Sequence, residues 1–179
     1  MEYDIPAAYL KEPSLIPPFW LSTVEDVTQF VDVHVHRGEA IRIGTSAGGR
    51  PILAVGYGEG RQGKGTTTFS GALGMGDPRA FLGPDHAKTV FMVLGAVHGG
   101  EFESIVAAVN LLSVLETGHD LRGQAWPELV AAAARLDRVI VVPIVNVDGR
   151  ARIPLRMEPH MGISYTVAEY FNTGGRLDG

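Results

Sequence analysis

His98-Gly99-Gly100-Glu101 places an imidazole and a carboxylate three residues apart with nothing but glycine between them. The apolar run before it, Thr89–Val97 (TVFMVLGAV), predicts a strand. The residues after it (Phe102, Ile105, Val106, Val109, Leu112 and Leu115) recur at helical spacing and predict a helix that stops near Thr117-Gly118. The tetrapeptide therefore sits where a buried strand hands over to a helix, and open parallel sheets bind their ligands beyond the carboxyl ends of strands. There His98 and Glu101 can turn toward one point. A catalytic zinc takes three protein ligands, often two His and one Glu, and leaves a position open for water. The chain has no cysteine, so any metal must be held by His and carboxylates. The same four residues also read as a glycine turn whose Glu101 favours the positive end of a helix. Two ligands alone do not make a site.

A second strand, Arg138–Val145 (RVIVVPIV), ends in Asn146-Val147-Asp148-Gly149 on the same predicted sheet edge. Asn-x-Asp-Gly is ordinary turn chemistry. Three arginines follow within a short stretch: Arg150, Arg152 and Arg156. An arginine in a cleft beside a metal can stabilise an oxyanion or grip a carboxylate by paired hydrogen bonds. Arg150 and Arg152 read as a solvated basic loop. Two further motifs are weaker. Gly58 to Gly65 nearly matches a phosphate-binding loop, but Gly65 stands where Ser or Thr must hold magnesium, and the glycines that follow argue against the helix such loops open. Asp32-Val33-His34-Val35-His36 has the form of a metal pair, yet it follows a helical pattern and reads as a helix end, where histidine suits the dipole.

The elements that must position these residues fit an α/β layered fold. A capping box at Ser22 to Glu25 opens a helix with Val24, Val27, Phe30 and Val31 on its inner face. Short strands at Ala40–Gly44 and Pro51–Gly56 flank the turn Ser46 to Gly49. Residues 56–84 have no consistent period and predict a long surface excursion. Pro127 suits the first turn of a helix running to Leu136. The expectation is a mixed, largely parallel sheet flanked by helices, with an extended arm over 1–21 and residues 22–179 forming the N-terminal part of a domain that is incomplete at its C-terminus.

Composition narrows the class further. With 179 residues, 45% hydrophobic and 20% charged, the chain is globular and long enough to bury a core without staples. A net charge of −5 argues against a nucleic-acid partner. The longest apolar run, Val90 to Val97, is far short of the roughly 20 residues that span a bilayer. The acidic start Met1-Glu2-Tyr3-Asp4 has the wrong sign for a secretory signal, so the expected location is cytoplasmic.

The order of these signals resembles the N-terminal half of a zinc carboxypeptidase of the carboxypeptidase A/B type, over roughly residues 22 to 157. Ile43 to Ile52 is similar to that family's strand–turn–strand, IG-x-S-x-x-GRPI. Gly95 to Glu101 resembles its His-x-x-Glu zinc pair, and Pro143 to Gly149 its P-x-x-NPDG segment, with Val147 in place of the usual proline. The resemblance implies a zinc-dependent hydrolase acting on peptides, or on acyl-amino acids as in the related acylase branch. It implies that His98 and Glu101 ligate Zn2+, and that Arg156 falls where many members carry the arginine that polarises the scissile carbonyl. The family's second zinc His, its Asn-Arg pair, its tyrosine and its general-base Glu lack counterparts here; His160, Asn172 and Arg176 do not match them. The expectation is an N-terminal piece whose catalytic remainder lies past Gly179, with a non-catalytic binding module as the alternative.

Overall fold

Thr23 has the extended backbone of an N-cap, and its hydroxyl accepts the Asp26 N–H at 3.0 Å while the Asp26 carboxylate accepts the Thr23 N–H at 3.0 Å. This reciprocal pair starts helix α1 (Val24–His34) one residue later than the Ser22–Glu25 box predicted from sequence. The reason is that Asp26, rather than Glu25, reaches back, and it also takes the Ser22 N–H at 3.1 Å. A computed structural model describes residues 15–60, 66, 68–77, 80, 81, 89–153 and 155 of the chain.

After α1 come β1 (Glu39–Thr45), β2 (Pro51–Gly58), α2 (Phe69–Gly74), β3 (Val90–Leu94), α3 (Phe102–Thr117), α4 (Pro127–Ala133), β4 (Arg138–Val142) and α5 (Val147–Arg152). Both predicted short strands and both predicted buried-type strands are present. The short helices α2 and α5 are not in the sequence reading. Each is opened by local chemistry: Thr68 accepts the Gly71 N–H at 3.0 Å, and Asn146 accepts the Gly149 N–H at 2.8 Å.

The strands form one sheet in the order β1-β2-β4-β3. It is mixed and flanked by helices, as expected, with a smaller parallel share: β1–β2 and β2–β4 are antiparallel and β3–β4 is parallel. The tight turn from Ser46 to Arg50 forces the first pairing, with Gly49 at φ +81°. The β3–β4 ladder runs on past both strands, since Gly95 N–H donates to Val142 O, Val145 N–H to Gly95 O, and Asn146 N–H to Ala96 O. The two candidate segments thus leave the sheet side by side.

The core joins α1 (Val27, Phe30, Val31), the sheet (Val55, Val139, Val141) and α3 (Ile105, Val109, Leu112), all buried. Strand β3 departs from its predicted burial. Phe91, Met92 and Leu94 are about half exposed (50%, 52% and 52%), because among the described strands β3 pairs only with β4. None of the described helices is long and apolar enough to cross a membrane.

Candidate functional site

Past β3 the backbone turns sharply. Gly95 lies so close to the next strand that a β-carbon there would stand 2.3 Å from Pro143 O. Ala96 takes a positive φ of 45°, a left-handed conformation that costs a side-chain-bearing residue about 1 kcal/mol or more. Ser104 holds this bend to α3: the Ala96 N–H donates to its hydroxyl (2.9 Å), which donates to Glu101 O (2.6 Å). A tight turn then follows, with the Glu101 N–H on His98 O at 3.1 Å.

The turn brings the predicted pair together. His98 Nδ1 and Glu101 Oε1 are 2.9 Å apart, and the His98 N–H donates to Glu101 Oε2 at 3.1 Å. The imidazole contact, followed by that backbone N–H, holds the Glu101 carboxyl below its ordinary range, so it carries charge. Both side chains are open to solvent (61% and 46%), so an ion can reach them. Zinc bonds to His nitrogen and carboxylate oxygen are about 2.0–2.2 Å, which in a tetrahedron sets two donors roughly 3.3 Å apart. The observed spacing is a few tenths of an ångström shorter. One borderline nitrogen and one anionic oxygen, converging and accessible, fit zinc as two of its ligands. Among the described residues no group of three His, Cys, Asp or Glu gathers to hold a metal.

The neighbouring segment is a frame for this turn. Asp148 Oδ1 accepts from the Ser46 hydroxyl (2.9 Å) and Arg50 Nη1 (2.8 Å), and Oδ2 from the Gly48 N–H (2.8 Å). The Gly48 N–H first and the Arg50 guanidinium second hold the Asp148 carboxyl low. The β1–β2 turn and the Asn146–Gly149 segment, a hundred residues apart, are therefore one interaction. Gly149 in turn abuts Gly99, where a β-carbon would lie 2.2 Å from the Gly149 carbonyl carbon and 2.5 Å from the Arg150 nitrogen.

Arg150 corrects the sequence reading. It is not a solvated loop residue but is 3% exposed, on α5. Its Nε donates to Ser22 O (2.7 Å), its Nη1 to Ile153 O (2.8 Å), and its guanidinium lies 4.1 Å from the Phe102 ring centre. Arg152 is exposed, as expected. Arg156, and with it His160, Asn172 and Arg176, lies outside the described residues. His34 closes α1, in keeping with a helix end. Asp148 reads from sequence as a turn residue and Arg150 as a solvated one, and neither reading discloses the tertiary contacts they make. The pairing of Asp148 with a glycine turn a hundred positions away left no local trace, and burial of Arg150 is decided by partners at Ser22 and Phe102.

The family model for zinc carboxypeptidases matches residues 25–157. No curated protein matches the sequence. Among solved structures, thrombin activatable fibrinolysis inhibitor is similar at 15% identity and TM-score 0.47, over 72% of this chain and 26% of that one. A Burkholderia mallei ATCC 23344 protein with a provisional carboxypeptidase assignment is similar at 17% identity and TM-score 0.48, over 71% and 26%. The bovine inhibitor bound to tick carboxypeptidase inhibitor is similar at 12% identity and TM-score 0.46, over 74% and 33%. The chain thus spans about a quarter to a third of the length of these structures.

Proposed function

The chain belongs to the zinc carboxypeptidase family, and from that premise we propose that it forms part of a metal-dependent hydrolase that removes C-terminal residues from peptides. The observation that carries this reading is the His98–Glu101 pair, converging and accessible at the carboxyl end of β3. His98 and Glu101 would hold the metal here. When bound, zinc supplies a Lewis acid that lowers the pKa of its water toward neutrality. Glu101, held ionised, contributes the anionic ligand. The solvent-facing side of the pair leaves room for further ligands and for a peptide. Arg156 meets the charge that grows on the carbonyl oxygen, following the family's pattern. Among the described residues no third His, Cys, Asp or Glu joins the pair.

The test uses the full-length protein, with peptides that differ only in a free or amidated C-terminus, with and without chelator. Chelator-sensitive release from the free terminus is expected. Equal, chelator-insensitive rates on both would overturn the reading. Metal analysis supplies the residue-level check: about one zinc per chain, lost in His98→Ala.

A further inference from the structure

Arg150 lies beneath the tetrapeptide, and its attachments run in two directions. On one side its Nε and Nη1 are spent on two carbonyls, Ser22 O at the entry to α1 and Ile153 O at the end of α5. On the other, its guanidinium stacks 4.1 Å from the ring of Phe102, the first residue of α3 and the one directly after Glu101. Its own backbone nitrogen lies against Gly99, the residue directly after His98. Phe102 is thus seated on the Arg150 side chain, and Gly99 on the Gly149–Arg150 backbone that carries it. We propose that Arg150 is a positioning residue for the His98–Glu101 pair, holding the end of the turn between them through the stack of its guanidinium on Phe102. The proposal rests on the reading of that pair as metal ligands.

The side chain suits the task in a way that lysine does not. A planar guanidinium can give in-plane hydrogen bonds to two carbonyls while offering its face to a ring, whereas an ammonium is a point charge on a flexible stem. Burial adds stiffness, since moving the group would strip its N–H donors of partners away from water. The turn is held from within by the Glu101 N–H on His98 O and by Ser104 on Glu101 O, and the stack on Phe102 adds a hold on the residue after Glu101. Groups that orient metal ligands from outside typically contribute about ten- to a hundredfold in metal affinity.

The test compares Co2+ and Zn2+ affinity, by competition with a chelator, in the full-length protein and in Phe102→Leu, Phe102→Tyr, Arg150→Lys and His98→Ala. Thermal melting of each metal-free variant reports the fold, and the Co2+ visible absorption reports the ligand geometry. Positioning predicts about ten- to a hundredfold weaker binding and an altered spectrum in Phe102→Leu and Arg150→Lys. It also predicts near wild-type values in Phe102→Tyr, which keeps the ring. Folded Phe102→Leu and Arg150→Lys proteins with unchanged affinity and spectrum, while His98→Ala still loses metal, would overturn the positioning role alone. Unchanged binding in all variants, His98→Ala included, would overturn the metal reading and the positioning role with it.

Discussion

Gly99 packs on the Gly149–Arg150 backbone at the point where the two candidate segments leave the sheet, and this contact accounts for the glycine at 99 better than turn geometry does. A methyl group on residue 99 would meet backbone that cannot swing aside. Gly99→Ala is therefore expected to destabilise the protein by about 1–3 kcal/mol, read from denaturant unfolding, as overpacking of fixed neighbours generally does. Asp148 works at the same scale. Its carboxylate is the shared acceptor for Ser46, Gly48 and Arg50, so Asp148→Ala should lower the melting temperature. The effect should be less than additive with that of Arg50→Met, since both remove one ion pair. Additive losses would show that the pair contributes nothing.

The elements divide sharply by how much apolar surface they hide. Helix α3 buries Ile105, Val109 and Leu112 completely against the sheet and α1, and it ends where Gly118 takes a left-handed φ of 82°. Helix α4 buries no residue. Leu112→Ala should cost about 2–5 kcal/mol by leaving a cavity, whereas Glu128→Ala on α4 should stay within about 0.5 kcal/mol. Equilibrium unfolding of the two variants decides it. A second tie fastens the far end of α3. Glu116 accepts from the backbone N–H groups of His36, Arg37 and Gly38 at 3.0, 2.8 and 3.0 Å and from the Tyr57 hydroxyl at 2.8 Å. Burial alone would raise its pKa, but those donors overrule it and hold the carboxyl low.

At the scale of the molecule, acid should loosen the fold through carboxylates of this kind. Burial pushes the Asp120 carboxyl up, yet the Gln124 N–H, the Trp126 indole and Arg122 bring it down to about 2. A depressed folded pKa means that its stabilisation is fully present above 3.8, the unfolded value, and is lost as pH falls through about 2. Asp120→Asn should therefore lower stability at neutral pH and flatten the acid limb of the stability profile across that interval. Titration followed by unfolding at each pH is the measurement. Among the described strands β3 stands at the sheet edge with Phe91, Met92 and Leu94 half exposed, and an apolar edge strand invites pairing with another chain. Leu94→Lys should reduce self-association of the 179-residue chain in light scattering, and no change would remove β3 as the sticky edge.

Periodicity and punctuation in the sequence were enough for α1, α3 and all four strands, because Val24, Val27, Phe30 and Val31, or Ile105, Val109 and Leu112, announce their inner face by spacing alone. The same patterns placed His98 and Glu101 between a strand and a helix, since the apolar run ends at Val97 and helical spacing begins at Phe102. What sequence could not settle depends on partners far along the chain. The burial of Arg150 is decided by Ser22 and Phe102, and the role of Asp148 by a turn a hundred residues before it. The exposure of β3 is decided by which strands stand beside it. Local patterns encode what a residue's own backbone neighbours require, whereas only the folded chain brings a guanidinium beneath a distant ring.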